Sequence, residues 1–158
     1  MWYIYYMDKA KLIKKVERAE LRYTSSELPE YKKAKLKRKA IKAFQEACDW
    51  LWRQIVYKRA NYKCEICGED STINAHHIIT RKAYIIRWDI ENGVCLCFLH
   101  HKYGIVSAHD GGEIFIRWLD KNYPKRADSL RKKLSQKKTW DIKAYKQLFK
   151  NLRKILNT

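Results

Sequence analysis

The sequence predicts an α+β protein in which a loop-rich centre, stapled by metal, lies between two basic helical flanks. Three observations predict this. All five glycines, Gly68, Gly93, Gly104, Gly111 and Gly112, fall in one stretch, and neither flank contains any. Cysteine and histidine gather in the same stretch, as Cys64-Glu-Ile-Cys67, His76-His77-Ile78 and Cys97-Phe-Leu-His100-His101. The flanks instead carry apolar residues at intervals of three and four, the period of a helix with one buried face.

Taken in order, Met1 to Met7 is apolar and aromatic but stops at Asp8. It lacks a basic leader and a small-residue cleavage site, so it reads as a buried strand or helix start rather than a signal peptide. Leu12, Ile13, Val16, Ala19 and Leu21 predict a first helix. After Pro29, the series Leu36, Ala40, Phe44, Ala47, Leu51 and Ile55 predicts one long amphipathic helix from about Pro29 to about Asn61. The centre then offers a strand over Asn74 to Ile79, a turn at Asn92-Gly93, a strand over Gly93 to Leu96 and a short helix from Phe98 to Ile105. Phe115, Trp118 and Leu119 suggest a helix ending near Pro124. Tyr145, Leu148, Leu152 and Ile155 mark a last one, with Thr139 or Asp141 as its N-cap. The expected division is a basic helical region over 1–62, a metal-bearing core over 63–110 and a second basic helical region over 111–158.

Cysteine spacing carries the chemistry. Cys64 and Cys67 repeat at the interval of Cys97 and His100, two intervening residues each, which suits two knuckles closing one tetrahedral zinc site. A rival set with Cys95 in place of His100 does not mirror the first knuckle, and Cys95 reads better as a packed thiol. A purely structural zinc site would stop at four ligands. His76, His77, Asn92 and His101 therefore need a second explanation.

The stretch from Lys63 to His101 resembles the HNH endonucleases, whose nuclease core is of the ββα-metal type. The likeness lies in the Cys-x-x-Cys turn, the His-His-Ile strand, the Asn, and the second knuckle followed at once by His101, nine residues after Asn92. Within the family, Arg81, Arg87-Trp88-Asp89 and Asn92-Gly-Val-Cys-Leu-Cys are most similar to phage recombination endonucleases of the NinG or Rap kind. The resemblance implies that His77 is the general base, that His76 and His101 hold a catalytic divalent ion such as Mg²⁺ or Mn²⁺, and that Asn92 orients His77. It also implies a ββα-metal core with structural zinc. His109, a lone histidine in a polar loop, is more often a solvated side chain and is otherwise the candidate third ligand. On a regular strand neighbours face opposite ways, so His76 and His77 serve one site only if that strand is bulged or strongly twisted.

The 158 residues carry a formal charge of +18. Lys32 to Lys42 holds seven Lys or Arg and no acid, and Lys121 to Thr158 holds thirteen against Asp128 and Asp141. A field of one sign without matching acids attracts polyanions, nucleic acid first. The expected phosphate contacts are Lys32, Lys33, Lys35, Lys37 and Arg38 on the long helix, and Arg81, Lys82 and Arg87 in the central loop. Trp88 and Tyr84 interleave with these and either stack on a base or anchor the loop. The reading is a metal-dependent DNA endonuclease, cytoplasmic (in the host, if phage-encoded) and without a membrane partner. The alternatives are a non-catalytic zinc module that binds nucleic acid, and an RNA-cleaving nuclease.

Overall fold

The computed structural model describes residues 9–25 and 28–158; the apolar stretch Met1 to Met7 lies outside them. The protein is mixed: helices α1 (Lys9–Thr24), α2 (Glu30–Arg59), α3 (Gly112–Asn122), α4 (Pro124–Leu134) and α5 (Ile142–Asn157), with a small sheet of β1 (Asn74–His77) and β2 (Gly93–Leu96). No described helix is long and apolar enough to cross a membrane.

The chain divides into two compact units, Met1–Leu51 with Thr139–Thr158, and Trp52–Lys138. This grouping differs from the expected division at 62 and 110. The physical reason is that α3 buries its apolar face on the cysteine-bearing centre and α4 is tied to it through Arg126 and Lys133, while the end of the chain joins the first helices.

In the first unit the helices follow their periodicity. Leu12 and Val16 of α1, Ala40, Phe44 and Ala47 of α2, and Tyr145, Phe149 and Leu152 of α5 are buried. Phe44 meets Phe149 edge to face at 5.9 Å, and Gln45 Nε2 donates to the Tyr145 hydroxyl at 2.8 Å. Asp141 caps α5, its Oδ1 accepting from the Ala144 N–H at 2.8 Å. That satisfies a donor the first helical turn would otherwise leave open.

In the second unit the sheet is antiparallel, with Asn74 opposite Leu96, Ala75 opposite Cys95, His76 opposite Val94 and His77 opposite Gly93. The first strand ends at His77, two residues short of expectation. Its core joins Cys64, Val94, Leu96, Cys97, Phe115 and Leu119, so the α3 aromatic face closes directly on the cysteine knuckles. Gly93 is where β2 crosses the end of α2: a Cβ there would lie 2.3 Å from Val56 and 2.8 Å from the Trp52 ring, closer than any side chain tolerates.

Helix α4 was not foreseen. The sequence reading used Pro124 as a stop, but the residue sits in the first helical turn of α4, where a missing N–H costs nothing. The helix has few apolar residues, and its anchorage is polar. Arg126, 9 % exposed, bonds Glu91 at 3.1 Å and stacks over Tyr123 at 4.1 Å, while Lys133 pairs with Asp89 at 2.6 Å. Periodicity cannot announce such a helix.

Candidate metal centres

The first knuckle begins just past α2. Cys64 N–H donates to the Glu69 carbonyl at 2.7 Å and Gly68 N–H to the Cys64 carbonyl at 2.8 Å, a tight turn. Gly68 has φ +78°, a left-handed conformation that side chains disfavour. Glu65 fastens this knuckle to its surroundings. Its carboxylate accepts from the Cys95 N–H at 2.8 Å, from the Tyr123 hydroxyl at 2.5 Å and from Arg59 at 3.4 Å.

The second knuckle leads from β2 into one wide helical turn, Leu99–Tyr103, closed by Gly104 N–H on the Leu99 carbonyl at 3.0 Å. The turn is shorter than the expected Phe98 to Ile105 helix. Wide i to i+5 turns place consecutive side chains at unusual angles and are frequent at functional sites. Here His100 points to the cysteines and His101 to the other histidines.

Cys64, Cys67, Cys97 and His100 place one candidate ligand atom each within 4.8 Å of one another. The separations are 3.9 Å for Cys67 Sγ to Cys97 Sγ, 3.6 Å for Cys64 Sγ to His100 Nδ1 and 3.2 Å for Cys97 Sγ to His100 Nδ1. With Zn–S of about 2.3 Å and Zn–N of about 2.0–2.1 Å, a tetrahedron has edges of about 3.8 Å between sulfurs and about 3.6 Å from sulfur to nitrogen. Two of the three separations match these edges and the third is somewhat shorter. The residues fit: the cluster could hold a metal ion such as zinc. Electrostatics agree at Cys64, where burial pushes the thiol up but the backbone groups of Cys97, Cys67 and Ile66 outweigh it and hold the pKa below its usual value. Cys95 lies outside the cluster. Buried in β2 and close to Glu65, its thiol is pushed up to about 12, which keeps it protonated and packed.

A second cluster joins His76, His101 and His109, again within 4.8 Å. Ring centroids are 5.2 Å apart for His76 and His101, 5.0 Å for His76 and His109 and 4.9 Å for His101 and His109. His109 is therefore part of the cluster although its side chain is exposed, and the residue that puts it there is one sequence reasoning missed. Ser107 is fully buried. Its Oγ accepts from the Asp110 N–H at 3.0 Å and the Gly111 N–H at 3.1 Å, and donates to the Lys102 carbonyl at 3.3 Å. A Cβ on Gly111 would meet Ser107 backbone atoms at 2.5 Å, so this turn requires glycine. The Ser107-to-Gly111 pair, spanning His109, was the available signal.

Burial, followed by the neighbouring His101, His109 and His77, holds the His76 pKa down to about 3. Burial, then His109 and Lys102, also lowers that of His101. Both rings are thus neutral at physiological pH and present lone pairs, as metal ligation requires. Three imidazoles and no thiolate make an incomplete shell with room for water or phosphate oxygen, and His109 is exposed.

His77 is not a member of that cluster, although it lies near enough to help lower the His76 pKa. The β1–β2 register runs without a bulge, and the His77 ring stacks on Trp52 at 3.9 Å with the planes 10° apart. Its Nε2 lies 3.0 Å from the Arg87 carbonyl. A carbonyl only accepts, so Nε2 carries the proton, and in a neutral ring the lone pair then resides on Nδ1. Asn92, the expected orienting residue, has its side-chain amide bonded to backbone. Its Nδ2 donates to the carbonyls of Ile79 at 2.9 Å and Ile86 at 3.2 Å, and its Oδ1 accepts from the Ile79 N–H at 2.7 Å. Fully buried, Asn92 clamps both ends of the Ile79–Ile86 loop, because a buried amide must satisfy its own groups with whatever backbone passes by.

Among the expected phosphate contacts, Arg81 and Lys82 are exposed in this loop. Arg87 is half-buried, over Tyr84 at 5.2 Å and Trp88 at 5.1 Å. Trp88 itself is buried, so it anchors the loop. Lys32, Lys35, Lys37 and Arg38 are exposed on the first turns of α2, whereas Lys33 is half-buried and pairs with Glu30 at 3.2 Å. No family model, curated protein or solved structure matches the chain.

Proposed function

We propose that this protein is a metal-dependent endonuclease of the HNH type, with a ββα-metal core held by structural zinc, that hydrolyses phosphodiester bonds in DNA. One observation carries the reading: consecutive residues of a single turn, His100 and His101, belong to two different clusters, one rich in thiols and the other made only of imidazoles. A binding module needs the first cluster alone. The second, incomplete and partly exposed, is the kind of site that leaves positions for substrate. The charge of +18 supplies the attraction for a polyphosphate.

In this reading Cys64, Cys67, Cys97 and His100 hold Zn²⁺, and His76, His101 and His109 hold a divalent ion such as Mg²⁺ or Mn²⁺. That ion, when bound, supplies positive charge for the phosphate oxygens in the transition state. His77 takes the proton of the attacking water through Nδ1. The Arg87 carbonyl keeps the proton on Nε2 and so selects the tautomer with that lone pair. Arg81 and Lys82 bind flanking phosphates.

A second reading, a zinc-stapled module that binds nucleic acid without cutting it, is favoured by the engagement of His77 with Trp52 and Arg87 on a regular strand. Plasmid nicking with Mg²⁺, Mn²⁺ or Ni²⁺ added in turn separates the two. Nicking that disappears in both His76→Ala and His101→Ala supports the nuclease. Binding of the plasmid with no nicking under any of the three ions leaves the binding module. The same assay with an RNA substrate tests the choice of polymer.

A further inference from the structure

We propose that the groove between α1 and α2 binds the sugar-phosphate backbone of single-stranded nucleic acid, as a site separate from the metal centres. The groove lies wholly within the first unit and has a volume of about 580 Å³. Lys11, Lys14, Lys15, Arg18 and Arg22 of α1 form one wall and Lys39 and Lys42 of α2 the other. Among the described lining residues the only acid is Glu46. It pairs with Lys15 across the groove at 2.5 Å, which leaves six further cations around it. Lys39 and Lys42 end the basic Lys32 to Lys42 run, but none of the phosphate contacts expected there, Lys32, Lys33, Lys35, Lys37 and Arg38, lines the groove.

Shape and charge together select the occupant. Lys11, Lys14 or Lys15, Arg18 and Arg22 recur about once per helical turn, so the wall presents a positive charge every 5–6 Å or so. A phosphodiester backbone offers one negative charge per residue at regular intervals, whatever its sequence. The apolar part of the lining is Ala19, Leu36 and Ala43. These are small or aliphatic side chains, with none of the aromatic residues on which protein partners most depend, and they suit the faces of sugars and bases. A flat anionic bilayer would meet the rim and could not reach cations on two facing walls. A duplex is too wide to enter a cleft bridged by a Lys–Glu pair, whereas one strand can be flanked from both sides.

The test uses the full chain and reads binding, not cleavage, so it stands or falls apart from the endonuclease reading. Fluorescence anisotropy with a labelled oligo-dT, without added divalent ions, compares the native protein with Lys14→Glu/Arg18→Glu/Lys39→Glu. All three positions are exposed, so folding should persist, and circular dichroism checks it. Kd should rise at least tenfold, and the slope of log affinity against log salt should flatten by about 0.7 per lost contact, about two in all. If the reversed-charge variant does not fold, Lys14→Gln/Arg18→Gln/Lys39→Gln should give the same change in slope. An unchanged Kd and slope overturn the proposal. So does a loss confined to duplex DNA, to phosphatidylserine vesicles or to polyglutamate with oligo-dT binding intact. Ultraviolet cross-linking of a 4-thiothymidine oligonucleotide should label the peptide from Lys11 to Arg22, and labelling confined to the second unit would also overturn it.

Discussion

The two clusters share one turn of backbone yet differ in every property that governs a metal. The cysteine cluster draws on two knuckles, has Cys64 and Cys97 buried, and holds the Cys64 thiol low through backbone hydrogen bonds while burial pushes Cys67 up to about 11. The histidine cluster has three imidazoles and no thiolate, one of them exposed, and its third member hangs on a turn stapled by a single serine. A full shell with rigid support is built to retain its ion and hold the fold, whereas an incomplete shell of neutral donors exchanges its ion with solvent.

The sharpest way to break this contrast is Cys64→Ser. Structural zinc contributes about 10–16 kcal/mol in small zinc modules, comparable to the whole stability of a domain at about 5–15 kcal/mol. The variant should therefore purify without zinc and lose the cooperative melting of the second unit. Elemental analysis and calorimetry check both, and a stable variant that kept its metal would end the assignment.

Next in size is His77→Ala, for which cleavage should fall by about 10²–10⁴-fold if the ring is the base. Its stack on Trp52 adds a smaller folding cost of about 0.5–1.5 kcal/mol. Undiminished nicking would remove His77 from the chemistry and leave it as a packing residue. Brief EDTA treatment tests the contrast directly: cleavage should stop, return on adding Mg²⁺ or Mn²⁺, and one equivalent of zinc should persist throughout. Collapse of the fold together with activity would show that the ligands are divided wrongly.

Ser107→Ala should act on the open cluster alone. Loosening the turn that carries His109 should weaken the exchangeable ion by about 10–100-fold, the usual effect of removing a group that supports a ligand, with zinc content unchanged. Isothermal titration with Mn²⁺ reads the difference, and equal affinity would mean that His109 is not held for ligation. The smallest effect is expected from Lys32→Gln with Lys35→Gln. These side chains are exposed, so each should change the salt slope by no more than about 0.7–0.9 and leave sequence preference untouched.

Much of this architecture was legible in the chain. The long helix predicted from Pro29 to Asn61 is α2, and Asp141 caps α5 as its position and type implied. The strand positions and the four-residue cysteine cluster followed from spacing, because knuckle geometry is local and a few intervening residues fix it. The tertiary structure decided what depends on distant chain segments. It joined His109 to the open cluster, through a serine whose burial only packing reveals. It placed Asn92 on the Ile79–Ile86 loop and aimed the His77 Nε2–H at the Arg87 carbonyl, which accepts it, since a polar side chain bonds whatever partner packing brings near. It formed α4 from residues whose anchorage is a buried arginine rather than an apolar stripe. Sequence spacing specifies contacts within a turn or a helix face, but which atoms meet across the fold is set by how those pieces pack.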